Sequence, residues 1–132
     1  MKDNVTLTRL GKLKAPDKMK ARAATLGPKL GDFLTTYPAP KTLDDFLKKH
    51  GFKTIERNGT LFGHDAGVPL HTDTGLVVAW CLFGFNEIHL QSRTHQLVIN
   101  EDSRFKSSWL MDDHVYLFNG HYPHGVIAGK AN

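Results

Sequence analysis

Short apolar stretches separated by turn-forming residues dominate the second half of the chain. Segments rich in β-branched and aromatic residues alternate there with clusters of Gly, Asn, Asp and Ser, a pattern typical of strands joined by tight connections. The predicted strands are Leu76 to Phe83, Glu87 to Ser92, His95 to Asn100, His114 to Phe118 and Val126 to Ala128. Turns are predicted at residues 84–86, 100–103 and 111–113.

One amphipathic helix is predicted ahead of these strands, over residues 42–51. Leu43, Phe46 and Leu47 form its apolar stripe. Thr42 is suited to cap its first turn, and Gly51 to end it. Upstream, residues 24–41 contain several Gly and Pro residues, which indicates a loop with at most a short helix around residues 30–35.

A hairpin is predicted directly after the helix. Its two strands are Lys53 to Arg57 and Thr60 to Gly63. The dipeptide Asn58-Gly59 lies between them, and Asn-Gly favours a two-residue turn because both residues accept positive φ. The helix therefore gives way to strands near residue 52.

The order of these elements predicts a mainly β fold with a helix near its N-terminus. We expect a single domain over residues 1–132, with a basic N-terminal segment and loop at 1–41, the helix at 42–51 and the β core at 52–132. Many short strands after one helix are typical of an antiparallel sandwich or barrel of the jelly-roll type, with helical packing outside.

Charge is unevenly distributed along the chain. Residues 1–30 contain eight Lys and Arg against two Asp, whereas the remainder is slightly acidic. Such a basic segment suits an anionic partner, nucleic acid included. A solvated arm or an ordinary surface helix is the more usual reason for such a segment, and no aromatic residue that could stack on a base occurs before Phe33.

The remaining composition bears on location. The longest apolar run, residues 76–85, is too short to cross a bilayer, and the first residues lead into polar sequence rather than a signal peptide. The lone Cys81 cannot form a disulfide within the chain. These features predict a cytoplasmic protein without a membrane partner.

A candidate metal site begins in the segment Val68 to Thr74. If the backbone is extended there, His71 and Asp73 project to the same side, because strand side chains alternate between faces. Two histidines and one carboxylate on one side of an iron(II) ion form a facial triad that leaves the opposite side open. His124 is the best candidate for the second histidine, with His121 as the alternative, and His64 is the residue to test as a replacement ligand.

The His-x-Asp of residues 71–73, followed fifty-one residues later by His124 in the sequence His124-Gly125-Val126, resembles the signature of the iron(II)- and 2-oxoglutarate-dependent oxygenases. The resemblance extends over residues 58–132. It implies a double-stranded β-helix, Fe(II) held by His71, Asp73 and His124, and 2-oxoglutarate as cosubstrate. It further implies a catalytic centre at these three residues that hydroxylates a substrate while 2-oxoglutarate is converted to succinate and carbon dioxide.

The family commonly binds the far carboxylate of 2-oxoglutarate with an Arg about ten residues beyond the second His, and this sequence has no such Arg. Lys130 is the nearest cation and Arg93 the second candidate. Two other functions stay open, a cupin-like metalloenzyme that does not use 2-oxoglutarate and a non-catalytic jelly-roll module with a binding or structural role, such as a virion protein. The substrate is open too, with a macromolecule or an anionic molecule favoured.

Overall fold

The computed structural model describes residues 6–24, 35–53, 58–61, 68–82 and 94–129. Within these ranges the chain is mainly antiparallel β, as the sequence predicts. The strands are β1 (Thr8–Lys12), β2 (Thr35–Pro38), β3 (Asn58–Leu61), β4 (Val68–His71), β5 (Leu76–Trp80), β6 (Thr94–Glu101), β7 (Arg104–Trp109), β8 (His114–Asn119) and β9 (His124–Gly129), and the helices are α1 (Asp17–Ala24) and α2 (Lys41–Lys49).

The chain divides into two compact units. The first combines Met1–Lys12 with Ala66–Asn132 and contains β1 and β4 to β9. The second, Leu13–Asp65, contains both helices together with β2 and β3. In the described residues no helix has the length and apolar character needed to cross a membrane.

Two antiparallel sheets form the first unit. One has the strand order β1-β8-β5 and the other the order β4-β9-β6-β7. Strand β9 lies between β4 and β6, so its residues have backbone partners on both sides: His124 is opposite His71 on β4 and opposite Ile99 on β6. The two sheets are consistent with a β-sandwich.

The core of this unit is built by one strand from each sheet. Leu97 and Ile99 of β6 pack with Tyr116 and Phe118 of β8 in a buried cluster. Spacing of two residues in each pair places them on one face of their strand. Val126 of β9, directly opposite Leu97, packs against the same cluster and so marks the inward face of β9.

Several predicted elements of this unit are confirmed. Strands β6 and β8 lie where they were predicted, each extended by a residue or two, and the predicted turns at 100–103 and 111–113 separate β6 from β7 and β7 from β8. Strand β5 ends at Trp80, and β9 begins two residues earlier than predicted, at His124. The alternation in Arg104–Trp109 was missed, although it is strand β7. Predicted strand Glu87 to Ser92 lies outside the described residues.

The stretch predicted as a basic segment and loop, residues 1–41, contains β1, α1 and β2 among its described residues. Strand β1 was not predicted because it is short and polar. It forms by pairing with β8, in which Thr8 lies opposite Leu117, and its register shifts between Arg9 and Gly11. Nonlocal pairing of this kind leaves no periodic signal in the strand's own sequence.

Two further predictions in the second unit are wrong. Helix α2 begins at Lys41, so Thr42 lies inside it rather than capping it. Pro40 is the N-cap, without a side-chain cap bond, and its carbonyl accepts hydrogen bonds from the Leu43 and Asp44 N–H groups. Its φ is −70°, the value to which a proline ring restricts the backbone.

The second wrong prediction is the turn at Asn58-Gly59. Asn58 and Gly59 lie within β3 and pair with Pro38 and Tyr37 of β2. Pairing with a strand twenty residues away in sequence has overridden the local turn preference of the dipeptide. Residues 54–57, the rest of the predicted first strand of that hairpin, lie outside the described residues.

Candidate metal centre

Strand pairing brings the two predicted histidine ligands face to face. His71, the last residue of β4, is directly opposite His124, the first residue of β9. The register shifts between Val68 and His71, which indicates a bulge on β4. A Cβ at Gly125 would lie 2.5 Å from the Val68 carbonyl oxygen, so the two strands approach this closely only because residue 125 is glycine.

Asp73 reaches the site by a different route from the one that the sequence suggests. Strand β4 ends at His71, so strand alternation does not orient residue 73. Instead, the Asp73 N–H donates to the Gly120 carbonyl at 2.8 Å, and the Gly120 N–H donates to the Gly75 carbonyl at 2.8 Å. These bonds fix the segment after β4 against the turn that follows β8.

Gly120 also permits the contact between these two segments because it has no side chain. A Cβ there would lie 2.9 Å from the Gly75 carbonyl oxygen and 3.2 Å from the Asp73 Cβ. Gly75 has a φ of +76°, which a residue with a side chain adopts only under strain. Two glycines with different roles therefore place the carboxylate.

The three predicted metal ligands converge. The His124 Nε2 lies 3.0 Å from the Asp73 Oδ2, and the His71 Nε2 lies 3.6 Å from the same oxygen. The two imidazole rings are 4.5 Å apart between centroids. One ligand atom from each of the three residues fits within 4.8 Å of the others, a spacing that could hold a metal ion.

The second nitrogen of each ring orients the site. His71 Nδ1 lies 2.9 Å from the Pro69 carbonyl, and His124 Nδ1 lies 2.8 Å from the Tyr122 carbonyl. A carbonyl oxygen only accepts, so Nδ1 must bear the proton in both rings. In both rings Nε2 is then the nitrogen that faces Asp73, which is how carbonyl acceptors behind the ring orient metal-binding histidines.

Burial differs across the three ligands. The His124 side chain is 5% exposed and packs on Phe118, with ring centroids 4.7 Å apart. The His71 and Asp73 side chains are 46% and 51% exposed. One histidine is therefore anchored in the sandwich, and the other two ligands lie at its surface.

This donor set suits a divalent transition metal. Neighbouring ligands at about 2.1 Å from a metal lie about 3.0 Å apart when they subtend a right angle, close to the separations seen around Asp73 Oδ2. Two neutral imidazoles and one carboxylate leave further coordination positions for other ligands. The site could therefore hold a metal ion.

The other candidates from the sequence fall into two groups. His121 is not in the cluster; its Nε2 accepts a hydrogen bond from the Gly75 N–H at 3.4 Å, beside the segment that holds Asp73. Lys130, Arg93 and His64 lie outside the described residues, so their predicted roles stay predictions. Sequence reasoning missed Gly120 and the Pro69 and Tyr122 carbonyls. Backbone acceptors leave no signal in a sequence. The pair Asn119-Gly120 indicates only a turn.

Comparison of the chain with models of known protein families, with characterised proteins and with solved structures found no match. The site must therefore be interpreted from its own geometry.

Proposed function

We propose that this chain is an iron(II)-dependent dioxygenase that uses 2-oxoglutarate and O2 to hydroxylate a substrate. The observation that carries the proposal is the convergence of the His71 Nε2, the His124 Nε2 and the Asp73 carboxylate, both rings being oriented through Nδ1 by backbone carbonyls. Ligands of this kind on one side of a metal suit a non-haem iron(II) oxygenase.

The path of the chain supports a double-stranded β-helix as the fold. Among the described strands from β4 to β9, the chain changes sheet between β4 and β5, between β5 and β6, between β7 and β8, and between β8 and β9, and it stays in one sheet at the β6–β7 hairpin. Winding a long hairpin between two sheets produces such a path, and this winding defines the jelly roll. Both histidine ligands lie on adjacent strands of the sheet β4-β9-β6-β7.

Each residue has a defined task in this mechanism. His124 is the fixed point, because its ring is held by Phe118 and by the Tyr122 carbonyl. His71 and Asp73 complete the metal-binding face from the surface of the sandwich. Bound iron would supply oxygen activation coupled to decarboxylation of 2-oxoglutarate, and the exposed side of the ligand set gives the substrate access.

Anaerobic titration of the purified protein with Fe(II), then with 2-oxoglutarate, tests the proposal. Chelation of iron by the oxo acid gives a visible charge-transfer absorption, which we expect in the native protein and not in Asp73→Ala. Asp45→Ala, an exposed carboxylate on α2, is the matched control and should behave as the native protein. Iron binding without the band would favour a metalloenzyme that does not use 2-oxoglutarate. Failure to bind iron would favour a non-catalytic module.

A further inference from the structure

Strand β7 carries its aromatic side chains on the side that faces away from the core. Leu97 and Ile99 of β6 belong to the core cluster, so the even-numbered residues of β6 point outward. Residues directly opposite each other on paired strands share a side, and Trp109 and Phe105 are opposite even-numbered residues of β6. Their side chains are 47% and 60% exposed, which agrees with this outward placement.

The charged residues of β7 lie on the opposite, inner side. Arg104 is opposite the buried Glu101, and Lys106 is opposite the core residue Ile99. The Lys106 ammonium lies 3.0 Å from the Glu101 carboxylate. An antiparallel strand with one solvated side normally has apolar residues inside and polar residues outside. Strand β7 reverses this pattern, so its aromatic side is suited to contact with another molecule.

The same outer surface continues across β6 to β9. Ile127 of β9 is opposite Gln96, on the other side of β6 from Trp109, and it is 50% exposed. Within residues 96–101, 104–109 and 125–127, the charged side chains all belong to the inner side of the sheet. The side chains at the outer surface are Gln96, Asn100, Phe105, Ser107, Trp109 and Ile127.

An uncharged surface of this kind favours a second copy of the chain as its partner. Nucleic acid requires cations, which this part of the described surface does not present. A lipid bilayer would leave the Gln96 and Asn100 amides without hydrogen-bond partners. The chain has a net charge of +4, so two copies repel each other where charged surfaces meet, whereas this surface brings no like charges together.

We propose that two copies of this chain associate through this surface about a two-fold axis that runs along β6. Ile127, Gln96 and Trp109 form one row across three strands, with Gln96 in the middle. Rotation about β6 places Trp109 of each copy against Ile127 of the other, and it places Gln96 opposite its own equivalent. An amide both donates and accepts hydrogen bonds, so two Gln96 side chains can pair. This association is independent of the proposed function.

The size of the surface sets the expected affinity. Four strands about 4.8 Å apart and six residues of about 3.3 Å each give an area of about 400 Å² per copy. Stable complexes bury about 800 Å² per partner, so we expect a concentration-dependent dimer with a dissociation constant of about 10–100 μM.

Sedimentation equilibrium of the full chain, from about 5 to 500 μM, tests the proposal. The average mass of the native protein should rise from 14.8 kDa toward twice that value. Trp109→Lys places an ammonium against Ile127 and should weaken association by at least about thirtyfold. Val78→Lys is the matched control, because Val78 is 37% exposed on β5 of the other sheet and should leave association unchanged.

A charge exchange at Gln96 tests the two-fold arrangement itself. Gln96→Lys and Gln96→Glu should each be monomeric, because each places two like charges opposite each other, and an equimolar mixture of the two variants should restore the dimer. Circular dichroism melting checks that each variant is folded. A native protein that stays monomeric, or a mass that continues beyond that of a dimer, would overturn the proposal. So would loss of association in Val78→Lys alone, or a mixture of the Gln96 variants that remains monomeric.

Discussion

The two strands that supply the candidate ligands differ in how firmly they are held. Strand β9 has paired strands on both sides, and its His124 ring is buried against Phe118. Strand β4 is at the end of the strand order within the described residues, and its residues 69–71 are exposed. The difference suggests that β9 gives the centre its fixed position, while β4 and the Asp73 segment complete it through a few specific backbone contacts.

The largest expected effect follows from removing the buried ligand. His124→Ala should abolish metal binding and also destabilise the metal-free protein by about 2–4 kcal/mol, because it leaves a cavity beside Phe118. Urea unfolding of the metal-free protein measures the stability, and Co(II) titration, followed by visible absorption, measures the metal affinity.

His71→Ala is the matched variant on β4. It should weaken metal binding more than about a hundredfold, since loss of a supporting residue alone costs ten- to a hundredfold. Its free energy of unfolding should change by only about 0.5 kcal/mol, because the side chain is half exposed. Equal destabilisation by the two substitutions would refute the distinction between a firmly and a loosely held half of the site.

Glycine substitutions test the contacts that complete the centre. Gly120→Ala should destabilise the protein by about 1–3 kcal/mol, because the added Cβ meets the Gly75 carbonyl oxygen at 2.9 Å. It should also weaken Co(II) binding by about ten- to a hundredfold through displacement of Asp73.

Gly51→Ala provides the comparison for Gly120→Ala. Gly51 has a φ of +87° and no atom within 4 Å of an added Cβ, so its substitution introduces backbone strain without a collision. We expect a cost of about 1 kcal/mol and native metal affinity. Unchanged Co(II) affinity in Gly120→Ala would show that the Asp73 segment is positioned by something else.

A carboxylate outside the set of three candidate ligands should give the opposite result. Glu101 is buried; its Oε1 accepts from the Thr6 hydroxyl at 2.7 Å and lies 3.0 Å from the Lys106 ammonium, and its Oε2 accepts from the Leu7 N–H at 3.1 Å. Glu101→Gln should reduce the free energy of unfolding by about 1–2 kcal/mol at neutral pH and leave metal affinity unchanged. Asp73→Asn should abolish metal binding with little effect on stability.

The pH dependence of Glu101 follows from the sign of its pKa shift. Burial alone raises the pKa of this carboxyl, but the bonds from Thr6, Lys106 and Leu7 outweigh it and hold the pKa below its ordinary value of 4.5. Its stabilisation is therefore present above about pH 4.5 and is lost as the pH falls through the lower folded-state pKa. Urea unfolding from pH 7 to 3 should show the native protein and Glu101→Gln converging; a constant difference would contradict this assignment.

The candidate ligands and some of the strands could be predicted from the sequence, and other strands could not. His71, Asp73 and His124 could be selected because His-x-Asp and a later histidine form a chemical pattern that is independent of exact strand bounds. Strands β6 and β8 were predictable because their apolar periodicity is strong. Strand β1 and the pairing of Asn58 with Pro38 were not, because a partner distant in sequence determines both.

The basic character of the chain illustrates a second limit. Unit Leu13–Asp65 has ten Lys and Arg against six Asp and Glu, whereas the unit with the metal ligands has seven of each. On α2 the basic residues partly pair with acidic ones, Lys48 with Asp44 at 3.0 Å and Lys41 with Asp45 at 3.9 Å. The excess of basic residues therefore lies in Leu13–Asp65, whereas the candidate metal ligands lie in the other unit. The net charge of the chain thus bears on the substrate only indirectly.

The smallest expected effect concerns His121. The hydrogen bond that the His121 ring accepts from the Gly75 N–H is long, at 3.4 Å, so His121→Ala should weaken Co(II) binding by about two- to tenfold and leave stability within about 0.5 kcal/mol. His121→Gln offers an amide oxygen as acceptor and should recover part of the affinity. A larger loss in His121→Ala than in His124→Ala would instead identify His121 as the ligand, because the three-ligand set has room for only one of them.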